Sequence, residues 1–227
     1  MNIFVKKLLK SLKSYLSITL NLPFLYQKPY FSQEGEDLII QKLFSHKKNG
    51  FYVDIGAHHP FRYSNTYFLY KKGWNGINID PSLNIKKIFG KTRKRDINLE
   101  LAIDKKNGKK ILYIFEDAAL NTLSKTNADE VISSRQSKLI KTISVKTQRL
   151  DDILKKYTKK IKQIDLLNVD VEGFEMNVLE SSDWAYYRPK VIVIENINKD
   201  LKLRNYLIKL NYSLIAQTNS SDIYAQK

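Results

Sequence analysis

The chain contains no cysteine among its 227 residues. This absence excludes disulfide bonds, zinc sites built from thiolates and a cysteine nucleophile, and it fits a reducing compartment. Long apolar runs are also missing, because Lys13 interrupts the first hydrophobic segment and the uncharged stretch before Lys28 is too short to cross a bilayer. No small-residue cleavage site follows that segment. We therefore expect neither a signal peptide nor a transmembrane helix, and we predict a cytoplasmic protein.

Arginine is scarce as well, since only 7 of the 39 cationic side chains are Arg. The net charge of +16 would ordinarily suggest a nucleic acid or an anionic membrane as partner. Phosphate and base recognition, however, favours the planar guanidinium of Arg over Lys. We therefore interpret most of the excess as solvated lysine and expect no nucleic acid partner. The basic run at 91–95, with Arg93 and Arg95, is interpreted as a solvated loop or a contact to an anionic acceptor.

Residues 1–29 form a segment distinct from the rest of the chain. Its apolar side chains share one helical face: Phe4, Leu8, Leu12 and Leu16. Most lysines fall off that face, so the pattern predicts a basic amphipathic helix, followed by a linker at Pro23 and Pro29. Two interpretations stay open, namely peripheral attachment of residues 1–26 to the inner face of a membrane and packing on the chain's own domain.

From Gly50 onward, short apolar runs alternate with helical or turn-rich segments, as is typical of a parallel sheet wound with helices. The five runs are 51–57, 76–80, 97–103, 164–171 and 190–197. Two further extended pieces, 109–116 and 142–150, are predicted to add to this sheet or its edge. Residues 212–226 form two strands around a polar turn. We therefore predict one α/β domain over residues 30–227, with a doubly wound, mostly parallel sheet that ends in an antiparallel strand pair.

Acidic residues end three of these runs, where doubly wound sheets bind their ligands. Gly56 allows the backbone to approach a bound nucleoside, and Asp80 follows it by 24 residues, against about 20 expected for a ribose-binding acid. Asp54 and Asp170 bring further negative charge to the same crevice. The GxGxxG spacing of a dinucleotide site is absent. The acids suit a ligand with a ribose, an ammonium group and another positive centre, such as S-adenosylmethionine, and they suit pyrophosphate badly. Taken singly, Asp54 would be a helix cap and Asp80 a turn residue.

From about Tyr30 to the C-terminus, the order and spacing of several segments resemble the FkbM family of S-adenosylmethionine-dependent methyltransferases. These segments are SQEGEDLI (32–39), GFYVDIGAHHP (50–60), SNTYFLYKKGWNGINIDP (64–81), TQRLDDIL (147–154), DLLNVDVEGFEMNVLESSDW (165–184) and PKVIVIEN (189–196). The resemblance implies a class I, Rossmann-like methyltransferase fold. It also implies methyl transfer to an oxygen, commonly a hydroxyl of a sugar or other secondary metabolite, as in polysaccharide biosynthesis.

The resemblance also assigns roles to individual positions. It implies that Asp54, Gly56 and Ala57 hold the methionine end of the cofactor and that Asp80 holds the ribose hydroxyls. Three residues at the end of the third run would flank the adenine: Leu101, Ala102 and Ile103. Asp170 and Glu172 would lie near the methyl group and the acceptor, with Asp170 also counted among the cofactor-binding residues.

The segment around the glycine turn is less regular. Asn65 and Thr66 would orient the turn, although capping of a helix explains them equally well. His58 and His59 stand where family members often carry Asn and Gly, and His58 is counted among the residues near the cofactor. Residues 32–37 form either a helix-capping sequence or a lid at the acceptor site.

A hydroxyl acceptor must lose its proton, so a base within hydrogen-bond reach would help. The candidates are His58, His59, Asp170, Glu172 and Glu195. We favour Asp170, a strand-end acid that faces the crevice, with Glu172 and His58 as the other catalytic candidates. Nothing in the sequence requires a metal.

The expected acceptor is a small molecule or a glycan. Two alternatives stay open: an RNA methyltransferase, suggested by the net charge, and a non-catalytic methyltransferase-fold module that binds a partner.

Overall fold

The computed structural model describes residues 3–22 and 30–227, so the predicted linker at Pro23 and Pro29 lies outside the described residues. The helices are α1 (Ile3–Thr19), α2 (Glu36–Leu43), α3 (Tyr67–Lys71), α4 (Ile85–Thr92), α5 (Lys125–Ser133), α6 (Leu150–Tyr157), α7 (Glu175–Leu179) and α8 (Leu201–Lys209). A helix is thus present where the amphipathic pattern predicts one. No helix within the two described stretches is both long and apolar enough to span a membrane.

The strands form two sheets. They are β1 (Phe51–Ile55), β2 (Asn75–Asp80), β3 (Ile97–Glu100), β4 (Ala102–Ile103), β5 (Gly108–Phe115), β6 (Leu139–Gln148), β7 (Leu166–Val169), β8 (Val191–Glu195), β9 (Tyr212–Gln217) and β10 (Ser221–Gln226). Seven of them build the main sheet in the order β3-β2-β1-β7-β8-β10-β9. All its pairings are parallel except those of β10 with β8 and β9. This order confirms the predicted doubly wound sheet with an antiparallel end pair.

Helices cover both faces of the main sheet, which explains why its central strands are apolar along their whole length. Successive residues of β1 point to opposite faces. Val53 and Ile55 pack with helices α6, α7 and α8. Tyr52 packs on the other face, with α2 and α3. All five residues of β1 are buried, so this strand fixes the position of its carboxyl end rigidly.

The prediction that residues 109–116 and 142–150 extend the main sheet is wrong. They contribute to β5 and β6, which form a separate three-stranded sheet with β4 in the order β4-β6-β5. The third apolar run divides at Leu101, so β3 pairs with β2 while β4 pairs with β6. The physical reason is one-sided burial: Leu112 and Val145 are buried between the strands and their neighbours, whereas Ile111 and Ile140 are exposed. A sheet covered on one face does not fit beside central strands covered on both.

Candidate active site

The carboxyl ends of β1 and β7 meet where the strand order reverses, the usual ligand position in such sheets. Gly56 follows β1 in the left-handed region, with φ of +81°. A Cβ atom at this position would lie 1.6 Å from the carbonyl oxygen of Asp170, so only glycine fits. The amides of Gly56 and Ala57 both donate to the carbonyl of Ile79, at 2.9 and 3.2 Å. Gly56 therefore contributes space at this edge rather than a free N–H group.

A cleft opens at this edge of the sheet. Eight of the predicted site residues line it: Gly56, His58, Asp80, Leu101, Ala102, Ile103, Asp170 and Glu172. Six other candidates do not line it: Asp54, Ala57, His59, Asn65, Thr66 and Glu195. A larger groove lies at the amino ends of β7 and β8, but none of the predicted site residues lines that groove. The predicted residues thus converge on the smaller cleft.

The carboxylate of Asp80 is held by two backbone amides. One oxygen accepts from the amide of His58 and the other from the amide of Ser82, both at 2.8 Å. Asp80 is 6% exposed at the end of β2. These bonds tie the loop after β1 to the loop after β2, and they fix the orientation of a carboxylate that lines the cleft.

Asp54 lies behind the cleft, in a buried polar network. Its carboxylate accepts from the hydroxyl of Thr66 and, at 2.9 Å, from the amide nitrogen of Asn168. Asn65 donates to the side-chain oxygen of the same Asn168 at 2.8 Å. Asn65 and Thr66 thus join the 64–66 segment to β1 and β7. Ser64, rather than Thr66, accepts from the first amide of α3, at 3.1 Å from Tyr67.

Arg93 is completely buried, so the prediction of a solvated loop at 91–95 is wrong for this residue. Its guanidinium donates to the hydroxyl of Thr66 at 2.7 Å and lies 3.4 Å from the carboxylate of Asp96. It also lies 5.5 to 5.7 Å from the centres of four aromatic rings: Tyr52, Tyr67, Tyr70 and Phe89. Burial raises the pKa of Asp54, and the Arg93 charge opposes that rise. Arg93 therefore stabilises the ionised carboxylate of Asp54 behind the glycine turn.

The two adjacent histidines have different environments. His59 is buried, and its Nδ1 atom accepts from the amides of Phe61 and Arg62 at 3.1 and 2.9 Å. Burial lowers its pKa to about 3, so this ring is neutral at physiological pH and holds the loop together. His58 lines the cleft, with its backbone in the left-handed region.

Four carboxyl groups gather where β7 and β8 end. Ligand oxygens of Asp170, Glu172 and Glu195 all lie within 4.8 Å of one another. Glu175, at the start of α7, accepts from the amides of Val171 and Gly173 at 3.2 and 3.1 Å. Its carboxyl group is also hydrogen-bonded to that of Glu195. The sequence pattern marked Asp170, Glu172 and Glu195 but not Glu175, because an acid in the first turn of a helix is common for capping alone.

Burial raises the pKa of every member of this cluster, and repulsion from neighbouring carboxylates adds to that rise for Asp170, Glu172 and Glu195. Burial, together with the charge of Glu175, raises the pKa of Glu172 to about 7. Burial, together with the charge of Asp170, raises the pKa of Glu195 to about 11. Burial, together with the charge of Glu172, raises the pKa of Asp170 well above its usual range. The group can hold protons, a divalent cation bound through oxygen ligands, or a cationic organic ligand.

Strand β5 and the segment that joins it to β6 form a unit that holds the loop after β7 in place. The carbonyl oxygen of Glu172 accepts from the hydroxyl of Thr122 and the amide of Asn127, both at 2.7 Å. Residues from this unit also form one wall of the cleft: Leu112, Ala118, Ala119, Asn121 and Leu123. Sequence reasoning missed this wall because it treated β5 and β6 as sheet additions. Gln33, from the 32–37 segment, lines the cleft as well.

The charge of the cleft is opposite to that of the chain. Asp80, Asp170 and Glu172 line it, while no Lys or Arg of residues 3–22 or 30–227 does so. The chain as a whole carries 39 cationic and 23 acidic side chains. The cleft fits a nucleoside ligand that also carries positive charge. It offers the oriented carboxylate of Asp80, an apolar wall at 101–103, and the acids Asp170 and Glu172.

Comparison with known proteins agrees with this geometry. A search of curated proteins returned no match. The family model described as the methyltransferase FkbM domain matches residues 54–214, a range that runs from the glycine turn to β9 and includes every strand of the second sheet. With this Rossmann-like sheet and this match over most of its length, the chain belongs to the FkbM methyltransferase family.

Proposed function

We propose that the protein transfers a methyl group from S-adenosylmethionine to a hydroxyl oxygen. The observation that carries this proposal is the acidic cleft: three carboxylates and no described cation line it, in a chain of net charge +16. S-adenosylmethionine carries a sulfonium and an ammonium group, so its binding offsets the repulsion among these acids. A pyrophosphate-bearing dinucleotide would add to that repulsion.

The lining residues suit the parts of this cofactor. Asp80 would accept from the ribose hydroxyls, since its two oxygens are already oriented by backbone amides. Leu101, Ala102 and Ile103 would pack against the adenine. Asp170, whose carbonyl lies against Gly56, would face the charged methionine end. When bound, the cofactor supplies an electrophilic methyl group, so the protein's main task is to align the acceptor oxygen with it.

Glu172 is the residue best suited to take the acceptor's proton. A general base works most effectively when its pKa lies near the working pH, and the pKa of Glu172 is raised to about 7. Glu195, whose pKa is raised to about 11, stays protonated and would donate a hydrogen bond instead. Burial and the charge of Glu172 also raise the pKa of Asp170 well above its usual range, and a bound sulfonium would favour its ionised form. Because Asp170 lies against the glycine turn, we assign it to the cofactor's positive charge and Glu172 to the acceptor.

We propose a sugar or glycan precursor as the acceptor. The cleft offers the side-chain amides of Gln33 and Asn121, together with the aromatic ring of Tyr63. Amide groups can hydrogen-bond sugar hydroxyls, and a tyrosine ring presents an apolar face with a polar tip. The cytoplasm is the proposed compartment, because the cofactor is made there.

A labelled-methyl assay tests this function. The protein is incubated with methyl-labelled S-adenosylmethionine and separate panels of sugars, nucleotide sugars, lipid-linked glycans and RNA. We expect label in a carbohydrate product, and we expect Glu172→Gln to lower its rate by about 10² to 10⁴, the usual contribution of a general base. The matched variant Glu130→Gln, exposed on α5, should keep the full rate. Label in RNA alone would contradict the proposed acceptor, and label in no panel would contradict the proposed activity.

A further inference from the structure

Helix α1 carries its apolar side chains on the outside of the molecule. Leu8, Leu12 and Tyr15 are 60%, 50% and 65% exposed, and Leu20, just after the helix, is 58% exposed. Leu8, Leu12 and Tyr15 recur at spacings of four and three residues, so these three side chains form one continuous stripe along the helix. A helix on the surface of a globular protein ordinarily turns such a stripe toward the core.

The covered side of α1 is centred on a serine instead. Ser17 is completely buried, and Ser14, Leu16 and Ile18 are half-buried. Helix α1 contacts α4. At about 100° per residue, Ser17 lies on the side of the helix opposite Leu8. The described part of the chain therefore covers the side of α1 around Ser17 and leaves Leu8, Leu12 and Tyr15 exposed.

The charge around this stripe identifies the kind of surface that it fits. Residues 1–33 contain five lysines and no acid. The neighbouring α4 adds Lys86, Lys87 and Lys91, all exposed. A short amphipathic helix flanked by lysines binds in the interface of a bilayer, where apolar burial and attraction to anionic headgroups add together.

We infer that α1 docks the protein on an anionic lipid surface through the stripe of Leu8, Leu12 and Tyr15. The docking surface is independent of methyl transfer, because none of its residues lines the cleft. Ser82, which does line the cleft, precedes α4 by only a few residues. The helix that contacts α1 thus begins beside the cleft, and docking would hold the cleft near the lipid.

Vesicle sedimentation with the full chain tests this inference. The vesicles contain either phosphatidylcholine alone or an equal mixture of phosphatidylcholine and phosphatidylglycerol. We expect binding to the mixed vesicles, weaker binding at high salt and little binding to phosphatidylcholine alone. The triple variant Leu8→Ser, Leu12→Ser, Tyr15→Ser should bind at least about tenfold more weakly. Circular dichroism of each variant shows whether the domain remains folded.

A matched triple variant removes equally exposed apolar side chains elsewhere: Ile132→Ser, Ile208→Ser and Tyr186→Ser. It should bind the mixed vesicles as the unmodified chain does. Equal binding by the α1 variant, or no binding by the unmodified chain, would overturn the inference. Sedimentation velocity tests whether a second copy of the chain, rather than lipid, binds this stripe. A dimer that the α1 variant dissociates, without vesicle binding, would assign this face to a second copy of the chain.

Discussion

Binding of S-adenosylmethionine should depend on pH through Glu172. Burial and the charge of Glu175 raise the pKa of this carboxyl group to about 7, so it is largely protonated at pH 6 and largely ionised at pH 8. The positive sulfonium favours the ionised form, and binding should therefore release a proton. A single pKa near 7 changes the ionised fraction from about one-tenth at pH 6 to about nine-tenths at pH 8. The affinity should therefore rise by up to about tenfold over that interval, the limit in which only the ionised form binds.

S-adenosylhomocysteine provides the internal control for this effect. It carries the same ammonium and carboxylate groups but no sulfonium charge, so its affinity should change much less between pH 6 and pH 8. Calorimetric titration in two buffers of different ionisation enthalpy gives the number of protons released. Glu172→Gln should remove most of the difference between the two ligands, while Glu130→Gln should retain it. Equal pH dependence for both ligands in the unmodified protein would refute the placement of Glu172 near the sulfonium, where the acceptor meets the methyl group.

Three further perturbations have definite expected results. Gly56→Ala places a Cβ atom 1.6 Å from a carbonyl oxygen, so it should abolish cofactor binding and lower the free energy of unfolding. The control Gly90→Ala, with no atom within 4 Å of the added Cβ, should be neutral or stabilise α4 by about 0.5 to 1 kcal/mol. Urea denaturation measures the free energy of unfolding of both variants. Arg93→Met should lower the free energy of unfolding by about 3 to 5 kcal/mol, because it leaves buried carboxylates without their cation, and the exposed Arg95→Met should cost less than about 1 kcal/mol. The melting temperature of the unliganded protein should fall as the pH rises from 5 to 8. The pKa of Glu195 is about 11 in the folded state and about 4.3 in the unfolded state. Over this pH range the folded state therefore holds a proton that the unfolded state releases, and its stability decreases as the pH rises. Glu195→Gln should reduce the change in melting temperature with pH. A melting temperature of the unmodified protein that rises from pH 5 to pH 8 would contradict the raised pKa of Glu195.

The apolar pattern of the sequence correctly predicted which residues lie at the carboxyl ends of the buried strands. Gly56, Asp80 and Asp170 follow runs whose apolar pattern defines buried strands, and parallel strands bring their carboxyl ends to one edge. Asp54 shows the limit of this reasoning. It shares the face of Tyr52 on β1, since side chains alternate along a strand, and it therefore points under the 64–66 segment rather than over the edge.

Arg93 could not be assigned from the sequence. It stands in a run of basic residues, and such a run is usually solvated. Its burial depends on aromatic rings from β1, α3 and α4, which come together only in the folded chain. The second sheet was missed for a related reason, because the local pattern of a strand does not specify which sheet it joins. Long-range contacts decide both features.

Calorimetric titration with S-adenosylmethionine, S-adenosylhomocysteine and NAD tests the central claim most directly. The account predicts micromolar binding of the first two ligands and none of NAD. It also predicts that Asp80→Asn weakens the binding by about 1 to 3 kcal/mol. Asp183→Asn is the matched control, because Asp183 likewise accepts from the amide two residues on but lies in the groove at the other end of the sheet. Failure of the folded protein to bind either methyl-cofactor ligand, or equal binding of NAD, would contradict the assignment of this cleft.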